Sequence, residues 1–152
     1  GEYSLEFKKI IKDLNFKYAF GQHSGVADES KDLFELPRFP INEKYGDLDR
    51  FSFLLNLLPL EYKNLLPEDK LVLKKSNPPK TVIEFFKDQK NLNKINCFSD
   101  EGKGWEKSKT ELINNKLHIK FRDKFTFRRG RINCSLNDKL GWRWLGTQFS
   151  IE

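Results

Sequence analysis

Tyr18-Ala19-Phe20-Gly21-Gln22-His23-Ser24-Gly25 is the stretch on which the reading of the fold turns. Residues 17–20 read as a short strand running directly into a polar turn, and the glycines on either side of Gln22-His23-Ser24 let the backbone bend sharply there. In sheets wound with helices, the carboxyl end of a strand is where ligands bind. A plainer reading makes the same residues a hairpin or loop whose imidazole is solvated, and periodicity does not choose between the two. His23 and His118 are the two histidines of the chain, so few side chains change charge near neutral pH.

Upstream of this stretch, Leu5, Phe7, Ile10, Ile11 and Leu14 recur at three- and four-residue spacing and predict a helix over 2–14. A helix leading at once into a strand is an α/β unit, whose strands are normally buried on both faces. One such unit cannot bury itself. Downstream, 26–32 is polar and loop-like. Leu36-Pro37-Arg38-Phe39-Pro40-Ile41 reads as an extended segment that its two prolines confine to an edge or rim. Asp47 is a good cap for a second helix, with Leu48, Phe51, Leu54, Leu55 and Leu58 as its buried side and Pro59 ending it.

Past a connector at 62–69 the pattern changes. Strand-like runs begin at Leu71, Thr81, Ile95, Leu117, Phe125 (Phe125-Thr126-Phe127), Arg131 and Trp142, separated by Asn, Asp, Gly and Lys turns. Leu117, Ile119 and Phe121 alternate with His118 and Lys120, as on a strand with one buried face. The expected fold class is therefore α+β. Residues 1–64 form an α/β portion with too few strands to close its own core, and 65–152 form an antiparallel β-sandwich.

Hydrophobic residues make up 38% of the chain and charged residues 33%, a globular balance, and no apolar run approaches the roughly 18 residues of a membrane span. No basic region followed by an apolar one marks the N-terminus as a secretory leader. The net charge of +6 would suit a nucleic-acid partner, but the lysines are interleaved with 22 acidic residues. The densest basic stretch, Arg122 to Arg131, is spread along strand-like sequence. No nucleic-acid partner is expected. Cys97 and Cys134 lie in strand-like runs without a histidine cluster, a poor zinc set. They form either a disulfide, across a sheet or between sheets, or two buried thiols. The disulfide would fit a periplasmic or other extracytoplasmic location.

Gly1-Glu2-Tyr3-Ser4, Phe20-Gly21-Gln22-His23-Ser24-Gly25 and Leu36-Pro37-Arg38-Phe39-Pro40 resemble the C-terminal part of polysaccharide deacetylase family proteins, the NodB-like carbohydrate esterases. Gly130-Arg131-Ile132-Asn133-Cys134-Ser135 and Trp142-Arg143-Trp144 extend the resemblance in the same order. Gly1-Glu2-Tyr3 looks like the end of a Pro-Tyr-Gly-Glu-Tyr motif, which implies a start in mid-domain. The resemblance implies that 1–64 is the C-terminal slice, helix–strand–helix, of a (β/α) barrel, followed by an accessory sandwich. It implies hydrolysis of N-acetyl groups on polysaccharide with a divalent, zinc-like metal. In such enzymes an aspartate and two histidines hold the metal and a second aspartate is the base. Their Asp-Asp strand end and His-x-x-x-His turn do not occur in this sequence. The chain is thus expected to bind no metal and to be silent alone, with the missing barrel half or another chain packing on 1–60.

Within this frame His23 is a candidate general acid or substrate contact, with Gln22, Ser24 and Arg38 beside it. Arg38 serves either as an ion-pair partner for the missing half or as a ligand to substrate oxygens. Trp142 and Trp144 are two apart on a strand and face one side. They are either core or, with Trp105, an open indole platform for sugar rings. Asn133 and Gln148 could hydrogen-bond sugar hydroxyls. A serine-hydrolase reading fails because Ser24 lacks a Gly-x-Ser-x-Gly elbow. The alternative from another class is a stand-alone, lectin-like carbohydrate-binding module.

Overall fold

The computed structural model describes residues 1–126 and 128–152. Among them, α1 (Leu5–Asp13) and α2 (Leu48–Leu55) precede β1 (Leu58–Pro59), β2 (Asn64–Leu66), β3 (Leu71–Val72), β4 (Thr81–Glu84) and β5 (Asn96–Asp100). The chain continues through β6 (Trp105–Lys107), β7 (Lys109–Ile113), β8 (Lys116–Lys120), β9 (Arg129–Asp138) and β10 (Gly141–Ile151). The class is α+β, with mostly antiparallel sheets.

The hairpin β9–β10 is the spine. Along β9, Ile132, Cys134 and Leu136 are buried while Arg131, Asn133 and Ser135 alternate with them on the other face. Its two-residue turn closes where Asp138 Oδ1 accepts the Leu140 N–H and Gly141 takes a φ of 133°, a conformation that favours glycine. One sheet runs β1-β10-β9-β5-β6, with β3 also on β10, and the second runs β2-β4-β8-β7. Ile83, Leu117 and Ile119 of the second sheet share one core with Cys97, Ile132, Cys134, Leu136, Leu145 and Phe149 of the first. Phe85 and Phe149 are wholly buried, each contributing about 2–3 kcal/mol by removal from water. Cys97 and Cys134, directly opposed on β5 and β9 with Cα atoms 4.1 Å apart, form a disulfide.

Several expectations need correction. Residues 17–20 are not a strand. Only Phe20 bridges, to Leu36 in parallel, because the segment has a single neighbour and no second strand to extend it. The sandwich is not wholly antiparallel, since β1 and β3 pair parallel with β10. Its sheets begin at Leu58, ahead of residue 65, and the connector contains β2. Helix α2 stops at Leu55, and Leu58-Pro59 instead forms an edge strand, where a proline's missing N–H costs nothing. Asp47 does cap α2, accepting the Arg50 N–H. Phe125 and Thr126 lie in no strand, and Phe127, the third residue of that run, lies outside the described residues.

The helix faces are the larger surprise. On α1, whose Ser4 cap accepts the Phe7 N–H, the apolar stripe of Leu5, Phe7 and Ile10 is exposed and Lys8 is buried. Its ammonium reaches Asp32 at 2.8 Å and Glu35 at 2.9 Å. On α2, Leu48, Phe51 and Leu55 are exposed and no residue is buried.

Replacing Cys97 and Cys134 together by alanine is expected to cost up to about 4 kcal/mol, because the bond closes a loop across a separation of 37 residues. Urea unfolding measures it, and reductant should shift the midpoint of the parent chain but not of the substituted one.

Candidate functional site

The outer face of the first sheet, opposite the core, carries the site. In the centre of β10, Gly146 presents no side chain, and the 22–25 loop lies directly on it. A Cβ built at Gly146 would stand 1.8 Å from the Ser24 carbonyl oxygen, so no other residue permits this contact. Gly25 makes the loop's second close approach, against Pro37. Three polar links fasten the arrangement: Arg129 donates to Gln22 Oε1, the Arg38 N–H donates to the His23 carbonyl at 3.0 Å, and Gln148 Nε2 donates to the Gly1 carbonyl at 2.7 Å.

Between the loop and the sheet opens a groove of about 510 Å³. Gln22, His23 and Ser24 form one wall with Arg38 and its neighbours, while Arg129, Arg131 and Asn133 of β9 and Trp105 of β6 form the other. Arg129, Arg131 and Asn133 meet there because alternate strand residues share a face. Arg131 is ion-paired with Asp100 and lies over the Trp105 ring, 5.3 Å from its centroid. Burial works to raise the Asp100 carboxyl, but the Gly102 N–H, Arg131 and the Gly104 N–H together hold it below the usual carboxylate range.

His23 is 7% exposed, and its Nδ1 has no hydrogen-bond partner among the described residues. Burial, reinforced by the positive charge of Lys70, pushes its pKa down to about 4. The imidazole is therefore neutral at pH 7, with about one molecule in a thousand protonated. That population suits an orienting contact far better than a general acid. Among the described residues no three His, Cys, Asp or Glu side chains gather where they could share a metal ion, and His118 sits on β8 of the other sheet.

Six of the sequence candidates thus come together: Gln22, His23, Ser24, Arg38, Trp105 and Asn133. Trp142 and Trp144 do not join them. They share a face outside the groove, where Trp144 packs at 6.0 Å on Phe39 and Trp142, 42% exposed, at 6.4 Å on Phe53. Gln148 is buried beneath Gly1, whereas Asn133 reaches the groove. Arg129 and Arg131 are site residues that sequence reasoning passed over. Their signal was the two-residue spacing that puts both on the face of β9 away from Ile132 and Cys134. Comparisons of the chain with family models, with curated proteins and with solved structures find no match. The groove's own residues therefore carry the functional reading.

Two measurements check this construction. Gly146→Ala should cost about 2–3 kcal/mol through overpacking and speed hydrogen exchange at the Arg38 amide, which is bonded to the displaced loop. His23 binds a proton more weakly folded than unfolded, so its stabilising contribution is complete above the unfolded pKa and is lost as pH falls towards the folded value. Between about pH 7 and pH 5 the parent chain should lose about 2 kcal/mol that His23→Asn does not lose.

Proposed function

We propose that this chain is the C-terminal part of a polysaccharide deacetylase, and that the groove receives the N-acetylated polysaccharide. The observation that carries the reading is the convergence of Gln22, His23, Ser24 and Arg38 on one groove with Trp105. The sequence resemblance singles out the four loop residues, and Trp105 adds an exposed indole face for a sugar ring. The exposed apolar faces at Phe7, Ile10, Leu14, Phe16 and Phe20 also support it. They are the surface that a slice of a (β/α) barrel would present to the remaining barrel or to another chain packing on 1–60.

Amide hydrolysis needs an electrophile to stabilise the developing oxyanion and a base within reach of the attacking water. No carboxylate lines the groove to act as base, its one buried imidazole is a weak base with its pKa pushed down to about 4, and its arginines, though able to meet an oxyanion, oppose a divalent cation. A metal does not fit the residues of the groove, so on this reading the hydrolytic step falls to a segment that carries the family's aspartates and histidines. What these residues can do is bind and orient. Ser24, Gln22 and Asn133 offer hydrogen bonds to hydroxyl and acetamido groups, Trp105 offers a stacking face, and Arg38 offers donors to sugar oxygens. The Cys97–Cys134 disulfide supports an extracytoplasmic location, and among the described residues no helix is long and apolar enough to cross a membrane.

A second reading, a lectin-like module without enzymatic activity, is favoured by one observation: the groove offers hydrogen-bonding groups and an indole while no carboxylate lines it. Acetate release from an N-acetylated oligosaccharide separates the two. The product of the whole reading frame should release acetate and this chain alone should not. In that product Arg38→Ala should raise KM about tenfold with kcat little changed, as for a contact made equally in ground and transition states. Acetate release by this chain alone overturns the proposed division of labour. Oligosaccharide binding with no release from either polypeptide leaves the lectin-like module.

A further inference from the structure

We infer that the groove is selective for an anionic saccharide, a sugar polymer bearing carboxylate, sulfate or phosphate oxygens; the inference rests on the saccharide reading above. It comes from a charge census of the groove. Three guanidinium groups, Arg38, Arg129 and Arg131, line it, and no aspartate or glutamate does. Arg131 is neutralised by Asp100 from just outside. Arg129 meets only the neutral amide of Gln22, and the side chain of Arg38 has no acceptor among the described residues. Two positive charges are thus uncompensated across one cleft.

A neutral sugar would leave them so, whereas an oxyanion would accept paired N–H bonds from either planar fork. The arrangement is anchored from two directions. Arg129 and Arg131 stand on the paired strand β9, and Arg38 is set by its backbone bond to His23. Trp105, 43% exposed with Arg131 over its ring, adds an apolar face beside the charge. Arg129 and Arg131 also line a second hollow of about 540 Å³ that includes Arg128. Glu2 and Asp100 line that hollow as well, so the uncompensated positive charge belongs to the groove itself.

A polynucleotide is the other polyanion, and the surroundings argue against it. Lys63, Lys103 and Lys120 pair with Glu84, Asp123 and Glu111, so the basic surface outside the groove is broken up by acids.

The test titrates this chain at low salt with oligogalacturonate, a sulfated oligosaccharide, a neutral N-acetylglucosamine oligomer and a single-stranded oligonucleotide, read by calorimetry and by tryptophan fluorescence. At least one anionic sugar should bind about tenfold or more tightly than the neutral one, and the two anionic arms show which oxyanion is preferred. Arg38→Gln and Arg129→Gln should each weaken the anionic ligand roughly five- to tenfold while changing the neutral one less than about twofold. Arg38 is exposed and its side chain holds no partner among the described residues, so its variant should unfold at the parent temperature, which a melting curve verifies. Equal affinity for neutral and anionic sugars, or a folded Arg38→Gln with unchanged affinity, overturns the selectivity and leaves the saccharide reading standing. Binding of no sugar, or tighter binding of the oligonucleotide, overturns both.

Discussion

The carbonyl of Ser24 rests where any side chain on Gly146 would have to be, and the groove exists because that place is bare. Gly146 lies in the middle of β10, hydrogen-bonded on the β9 side opposite Asn133. A strand interior is an expensive place for glycine, which loses backbone entropy and contributes no packing. Here the lost packing is replaced by the backbone of a loop. Once Ser24 is seated, His23 is buried, its carbonyl fixes the amide of Arg38, and Gln22 comes within reach of Arg129. One missing methyl group therefore sets the positions of Gln22, His23, Ser24 and Arg38 against the distant strand β9.

How the first sixty residues are held differs in kind from how the sandwich is held. The sandwich has a shared apolar core, whereas the preceding segment is fastened largely by polar links. Lys31 donates to the Tyr62 carbonyl, Asp69 accepts the Leu5 N–H, and Gln148 donates to the Gly1 carbonyl. Inside the segment, Lys8 is buried against Asp32 and Glu35, and burial alone would favour its neutral form. The two carboxylates outweigh that penalty and keep it charged. Such a trio resists loss of one partner strongly, by about 3–5 kcal/mol, yet adds little net stability over an apolar packing. It decides orientation: with Lys8 turned inward, the apolar stripe of α1 must face out.

That inversion explains much of what could and could not be read beforehand. Apolar spacing located both helices, and Asp47 located the start of the second, because periodicity and capping are local. Which face would be buried depended on acids more than twenty residues away, and no local pattern encodes that. Alternation found β8, β9 and β10, each with one face in the core. It missed β6 and β7, where Glu106, Lys107, Lys109 and Glu111 stay in solvent and every residue is exposed, so no burial pattern was there to detect. The proposed strand at 17–20 failed for the converse reason: its composition suits a strand, but the chain supplies one neighbour for a single bridge. In the site, the Gln22-His23-Ser24 turn was legible from its glycines. Arg129 and Arg131 share a face by their two-residue spacing, but that this face meets the 22–25 loop depends on Gly146 of the neighbouring strand, which no local pattern encodes.

The electrostatics of the groove point in one direction from several independent sources. Lys70 is buried behind the loop, and its charge is one reason His23 stays unprotonated. Arg38 and Arg129 have no ion-pair partner among the described residues, and Asp100, beside the groove, is engaged by Arg131 and two backbone amides. A proton on His23 or a divalent cation in the cleft would enter a field already positive on each side. Arg38 and Arg129 would oppose either one. An anion between Arg38 and Arg129 would lower the energy of both guanidinium groups, and would do so without moving the backbone that Gly146 holds in place.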